Sequence, residues 1–314
     1  MNEQEKVATL VFHDHGMDFR SAKRAGGWTN AVWLNENFAL RISFKKDSEI
    51  IRREVRLSKF FPKEIGYPEN ILVGDTNGYE WSLSKRIEGS NLSEVWCDLQ
   101  FDERITAIRQ ILDIIDQLHC LDIESIKGLS NQNAWYSTFD IQDIYSSLNR
   151  YLDLNIFSLK QINTLKKLIE CFYSKLNSTT HVLNHGDITM DNLLWSNDRI
   201  VSLLDFEHSV IAPSELDLHS IINLALFSEQ DENSINFTRQ GYQQFRKEVI
   251  QMLKPRLCNS NSIDLISGYS IHFHMRFLEF WLENPEGKLQ SLKAYQKLCS
   301  LAKIEGNFLT DLLL

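Results

Sequence analysis

Between His185 and Trp195 the chain reads HGDITMDNLLW, and it returns to acidic residues at LLDFE, which ends on Glu207. Two short strands are expected here, NLLW (192–195) and IVSLLD (200–205), joined by the turn SNDR. If Trp195 pairs with Ile200, Asn192 lies opposite Leu203 and Asp205 falls just beyond the same open end, with Asp187 a short loop upstream. An acid, an amide and a second acid then converge. A divalent cation such as Mg²⁺ takes hard oxygen ligands, one or two of them carboxylates and the rest amide oxygens, waters and phosphates. A further carboxylate is needed beside an attacking hydroxyl, to orient it and accept its proton. Asp205 suits the metal, Asn192 a second metal contact, and Asp187 the hydroxyl. The chemistry these types and spacings allow is phosphoryl transfer.

The elements that must position these side chains fall into two groups. The first ninety residues hold short β-type stretches, AVWL from Ala31, FALRIS from Phe38 and EWSLSKRI from Glu80. Turn signals at AGG, LNEN and GDTNG separate them. One helix is expected among them, opened by Asp47 or Ser48 and running to Pro62. Beyond Gly89 the apolar spacing becomes helical. It starts with DERITAIRQILDIIDQLH, where Asp102 is a candidate N-cap. Further helices are expected at 141–153, 158–176, 215–228, 235–254, 262–283 and 287–304, around one β-type island from Val182 to Asp205. The division expected is a β-rich lobe, residues 1–88, and a helical lobe, residues 89–314, with the glycine of RIEGSN as hinge.

Composition narrows the classes. A chain of 314 residues is long enough to build its cores without staples. Its five cysteines are scattered and never in CxxC spacing, which fits reduced thiols and a cytoplasmic setting. A formal net charge of −9 with no basic run argues against nucleic acid as partner. No apolar stretch approaches the roughly 20 residues that span a bilayer. Phosphate-loop, dinucleotide, GxSxG and HExxH motifs are all missing.

HGDITMDN resembles the HxDxxxxN catalytic loop of the aminoglycoside phosphotransferase and choline kinase family, a branch of the protein-kinase-like fold, and LLDFE resembles its metal-binding segment. The resemblance implies an α+β protein with a small β-rich lobe before a larger α-helical one, ATP or GTP between them, and a small-molecule hydroxyl as acceptor. It extends to AGGWTN, which looks like the phosphate-covering turn, with Gly26 and Gly27 letting backbone amides approach the phosphates. FALRIS is similar to the strand whose basic residue grips the phosphates. That residue is Arg41 here, in place of the usual lysine, and Glu54 would orient it. Arg86 and Ile87 in KRIEGSN match the hinge strand beside the adenine. His185 would brace the loop through hydrogen bonds, and Asp217 in APSELDL would be the structural acid behind it. Glu207 has three readings: a ligand of a second metal, a contact to a cationic acceptor, or a solvated acid.

Other clusters read more plainly. Asp191 is expected to be a surface acid, and His13, Asp14 and His15 a solvated strand or turn. His272 and His274, two apart on one helix, diverge and should not share a metal. Trp281, Glu279 and Glu283 either line the acceptor pocket or belong to an ordinary amphipathic helix. An aminoglycoside-like antibiotic is the favoured acceptor. A metabolite such as choline, homoserine or methylthioribose is the alternative, and a protein kinase or a silent nucleotide-binding module are further ones. A monomer or a homodimer would serve any of them.

Overall fold

A computed structural model describes residues 2–27, 29–130, 141–226, 239–257, 261–283 and 288–302. The N-terminal part is an antiparallel sheet in the order β1-β2-β3-β5-β4. Its strands are β1 (Lys23–Ala25), β2 (Asn30–Leu34), β3 (Phe38–Lys46), β4 (Asn70–Thr76) and β5 (Tyr79–Lys85). Alternation along β3 decides what the sheet does. Leu40 and Ile42 are fully buried on one face, which sends Arg41 between them to the other.

The buried face packs on a helix that strand and turn signals did not anticipate, α1 (Glu3–Asp14). Its signals are nonetheless local. Asn2 caps it by accepting from Glu5 N at 2.8 Å, and Glu3 and Glu5 fall in the first turn, where the helix dipole favours acids. Val7, Ala8, Val11 and Phe12 make its apolar stripe against Trp33, Leu40 and Trp81. His13 and Asp14 therefore end this helix and His15 lies in the turn after it; all three are exposed, so the triple is solvated as expected, at a helix end and not on a strand. Phe12 is wholly buried in this small core, so Phe12→Ala should lower the unfolding free energy by roughly 3–5 kcal/mol, read by urea denaturation.

The second N-terminal helix, α2 (Ile50–Leu57), starts later than Asp47 or Ser48 and gives way at Ser58–Phe60 to a single 3-10 turn. Its free amides are satisfied from another strand: Glu80 on β5 accepts from Ile51 N at 2.9 Å and Arg52 N at 2.7 Å. Burial pushes the Glu80 carboxyl up, against these two amide hydrogen bonds.

After the sheet the chain forms β6 (Ser90–Asn91) and then α3 (Leu92–Val95), α4 (Phe101–His119), α5 (Ile123–Ile126), α6 (Ile141–Asp153) and α7 (Leu159–Leu176). Strands β7 (His181–Asn184), β8 (Leu193–Ser196), β9 (Arg199–Leu203) and β10 (Val210–Pro213) form the island. Then come α8 (Glu215–Leu226), α9 (Arg239–Leu253), α10 (Ser262–Glu283) and α11 (Lys288–Leu301). The α4 cap is Gln100, not Asp102, with Gln100 N donating to Glu103 at 2.6 Å. Ile108, Ile111, Leu112, Ile115 and Leu118 of α4 run through the main core, joined by Ile162, Leu165 and Ile169 of α7 and by Phe245 and Val249 of α9. Among the described residues no helix is long and apolar enough to cross a membrane.

In the island, β8 and β9 form a hairpin whose turn residues Asn197 and Asp198 both have positive φ, the hand that matches strand twist. Trp195 pairs with Ile200 as expected. A bulge between Leu194 and Trp195 then moves the register, so Leu193 and not Asn192 faces Leu203. Asn192 sits one step further out, its carbonyl accepting from Leu204 N at 2.8 Å.

Candidate active site

Two charged groups meet where the sheet faces the helical part. Arg41 projects from the middle of β3, and Glu54 from the buried side of α2. Arg41 Nη1 lies 2.7 Å from Glu54 Oε2, and Nη2 lies 2.8 Å from Asp205 Oδ1 and 3.6 Å from Glu207 Oε2. Burial acts to lower the arginine pKa, but the Asp205 and Glu54 carboxylates outweigh it and hold the guanidinium firmly cationic. The other oxygen of Glu54 accepts from Tyr67 OH at 2.8 Å and from Phe206 N at 3.0 Å. Tyr67 was not legible as a site residue, because nothing in its local sequence marks it.

Asp205 follows β9 in the left-handed region, φ 65°, which costs a non-glycine residue about 1–3 kcal/mol and persists where the surroundings enforce it. Burial pushes its carboxyl up to about 6, against the pull of Arg41 and with the help of Glu54 and Glu207 nearby. Glu207 behaves oppositely. Burial would raise it, but the His208 hydrogen bond and Arg41 bring it down to about 2. Its Oε2 accepts from Asn30 Nδ2 at 3.0 Å and its Oε1 lies 3.3 Å from His208 Nε2. At 6% exposure Glu207 is not the solvated acid that was one of its readings. It links the end of the AGGWTN turn to the segment after Asp205.

The HGD loop is held from behind. Asp217, wholly buried in the first turn of α8, accepts from His185 N at 2.8 Å and Gly186 N at 3.0 Å, with His119 Nε2 at 3.3 Å. One ring nitrogen of His185 faces the Leu204 carbonyl at 2.8 Å and the other accepts from Asp187 N at 3.2 Å. That pairing fixes the Nε2–H tautomer and ties the two halves of the site together. His119, which closes α4, is a second residue the motif reading did not include.

Gly186 has φ 84°, and a Cβ there would come within 2.4 Å of the His208 carbonyl oxygen. Gly186→Ala should therefore destabilise by roughly 2–3 kcal/mol, visible as a lower melting temperature. Asn192 Nδ2 donates to the carbonyl of Asp187 at 2.9 Å and to its Oδ2 at 3.1 Å. Asp187 also borders a cavity of about 240 Å³, with Thr189, Asp191, Ser220, Asn223 and Phe273 among its walls.

The remaining sequence candidates divide. Gly27 permits a tight turn, since a Cβ would meet the Asn30 carbonyl at 2.1 Å, whereas Gly26 faces open space. The Arg86 guanidinium donates to Asn35 O at 2.8 Å, on the β2–β3 turn, and is exposed; Ile87 is half-buried. Neither is among the ion-pair partners of Arg41, which are Glu54, Asp205 and Glu207. Asp191 is hydrogen-bonded to Ser93 and belongs to the cavity wall. Glu279 lies beside Tyr151 and Glu283 is 3.9 Å from Arg150; neither borders this cavity, and the Trp281 side chain lies outside the described residues. His272 and His274 are core side chains whose burial holds them well below the usual histidine range.

The model of the phosphotransferase enzyme family matches residues 22–253, most of the chain. The chain belongs to that family. It is a phosphotransferase with a protein-kinase-like fold, a small antiparallel sheet preceding a helical part. Among solved structures it is similar to the GDP complex of wild-type aminoglycoside 2'-phosphotransferase-IIIa, with a TM-score of 0.69 at 13% identity over 95% of this chain and 98% of that one. It is also similar to a thermostable mutant of aminoglycoside phosphotransferase APH(4)-Ia in ternary complex with AMP-PNP and hygromycin B, with a TM-score of 0.65 at 14% identity, covering 95% and 97%. The gentamicin complex of APH(2")-IIa gives 0.61 at 16% identity, covering 95% and 97%. A search of curated proteins by sequence found no match.

Proposed function

We propose that this phosphotransferase moves the γ-phosphoryl group of ATP or GTP onto a hydroxyl of a small molecule, with an aminoglycoside-like antibiotic the first acceptor class to test. The carrying observation is the pairing of Arg41 with both Glu54 and Asp205, together with an Asp187 carboxylate that borders a cavity of its own. A basic group bridging two carboxylates is set to exchange one of them for phosphate oxygens. Asp187 would orient the acceptor hydroxyl and take its proton, its carboxylate held by the Asn192 amide. Solved relatives in complex with GDP and with AMP-PNP and hygromycin B support a nucleotide donor and a hydroxylated acceptor.

The residues present suit a divalent cation. Asp205, Glu54 and Glu207 crowd around one guanidinium, and burial, helped by the charges of Glu54 and Glu207, raises the Asp205 carboxyl. Asp205 and the Asn192 amide oxygen would hold Mg²⁺. The chemistry supplied by such an ion would be neutralisation of the charge that develops on the transferred phosphoryl group. Among the described residues no three His, Cys, Asp or Glu side chains form a metal cage, which suits an ion held largely by the nucleotide. The nucleotide lobe is taken as residues 1–88, with Gly26, Gly27, Arg86 and Ile87 near the donor, and the acceptor lobe as 89–314. Cys97, Cys120, Cys171 and Cys299 are reduced and form no disulfide, which suits a cytoplasmic compartment.

A metabolite acceptor is the second reading. The cavity wall includes Ile188, Leu224 and Phe273 beside only two acids, a weaker cation trap than a polycationic antibiotic would favour. A peptide acceptor has less support, since the chain passes from Asp205 through one short turn and β10 directly into α8. The test is a coupled turnover assay with Mg²⁺, ATP and GTP over hydroxylated antibiotics and metabolites. Acceptor-dependent turnover supports the proposal; absence of both turnover and nucleotide-induced stabilisation would sink it.

A further inference from the structure

Glu54 is not alone on α2 in reaching the segment after Asp205. Its neighbour Arg53 extends its guanidinium over three main-chain carbonyls. Nη2 donates to Glu207 O at 2.5 Å, while Nη1 lies 3.5 Å from Ser209 O and 3.3 Å from Leu129 O. Glu207 and Ser209 flank His208 in the 3-10 turn that follows Asp205, and Leu129 closes a second 3-10 turn, Lys127–Leu129. A guanidinium presents its donors as a rigid planar fork, so it can serve several carbonyls at once. An ammonium on a flexible stem is a single point charge.

Consecutive residues of α2 thus grip one segment through opposite polarities. Glu54 accepts from the amide that opens the turn, Phe206 N, and Arg53 donates to the carbonyls near its close. A cation at the carbonyl end of a helical turn also has the favourable sense for the turn's dipole. The segment needs such support, because Asp205 at its head is held at φ 65°. Helix α2 and the Asp205 segment are far apart in the chain, 152 positions between Glu54 and Phe206, and meet only in the folded molecule.

We propose that Arg53 is a positioning residue: it fastens residues 205–209 and the Lys127–Leu129 turn to α2, so that Asp205 is presented at a fixed distance from Arg41 and Glu54. The inference rests on the phosphoryl-transfer reading for its consequence, and on the geometry for the fastening itself. Arg53 would touch neither nucleotide nor acceptor.

The test uses the full chain with Arg53→Gln and Arg53→Lys. Fluorescent ATP and GTP analogues are titrated with excess Mg²⁺ and again with EDTA. In parallel, amide hydrogen exchange is followed in the nucleotide-free proteins. Arg53→Gln is expected to reduce the Mg²⁺-dependent gain in nucleotide affinity at least tenfold while leaving the EDTA affinity unchanged. Amides 206–209 should exchange at least tenfold faster, with those of β3 and β5 unaltered. Arg53→Lys, keeping the charge but not the fork, should fall between, and carries the test if the glutamine variant does not fold. Wild-type protection of 206–209 in Arg53→Gln overturns the proposal. So does faster exchange with the full Mg²⁺ gain retained, which would make Arg53 a structural tie only. Failure of the phosphoryl-transfer reading is distinguishable: the wild type would then bind no nucleotide in either buffer, and the exchange result alone would decide the fastening.

Discussion

Asp187→Ala is expected to lower acceptor-dependent phosphoryl transfer by a factor of about 10²–10⁴, the range for loss of a positioned proton acceptor. Nucleotide affinity should change by less than about twofold, since the contacts described for the Asp187 carboxylate are to Asn192 and the cavity, not to the Arg41 cluster. Folding should survive as well. The loop is held by Asp217 through the amides of His185 and Gly186, and by His185 through Leu204 O, none of which uses the Asp187 side chain. A kcat that collapses while nucleotide KM stays put is the signature of a group acting on the hydroxyl. A variant that keeps kcat but loses nucleotide binding would move Asp187 out of that role.

Asp205→Asn should separate function from stability in the opposite sense. Mg²⁺-dependent nucleotide affinity is expected to fall at least tenfold, because a carboxylate beside the phosphates becomes a neutral amide. The nucleotide-free protein should nonetheless melt higher at pH 7. The sign follows from the raised carboxyl, about 6 in the folded chain against an ordinary 3.8. The folded state holds the Asp205 proton more tightly than the unfolded one, so its stability declines as pH rises from about 4 through 6 and stays low above that. Asparagine removes the charge that burial penalises, and it tolerates the left-handed backbone at this position. Melting curves of wild type and variant should therefore differ at pH 7 and converge toward pH 4. A variant that melts lower than wild type at pH 7 would show that the Arg41 pair outweighs burial.

These two residues also show how far local reasoning reaches. The meeting of Asp187 with Asn192 and the place of Asp205 just after β9 were legible because a hairpin and the loop before it are local objects. A two-residue turn with alternating strands brings its open end together whatever the rest of the molecule does. The register differs by one residue at Asn192 because Val201 of β9 bulges out between the Leu194–Ser202 and Trp195–Ile200 pairs, and bulges leave little mark in apolar alternation. Helix α1 was missed for another reason. Its cap and apolar stripe are present in the sequence, but a short polar beginning offered no strand or turn signal to contrast with them.

What the amino-acid order determined by itself was the succession of a β-rich part and a helical part, the positions of most helices, the hairpin, and the acids and amide at its end. Each depends on contacts between residues close in sequence, where periodicity and turn chemistry act directly. The tertiary structure alone decided which distant groups share a charge. Glu80 capping α2, Tyr67 on Glu54, Asn30 on Glu207, His119 on Asp217 and Arg53 across the 205–209 segment all join separate elements. Buried polar groups must find partners, but sequence spacing does not say where they find them; the packing of α2 and α4 against the island does.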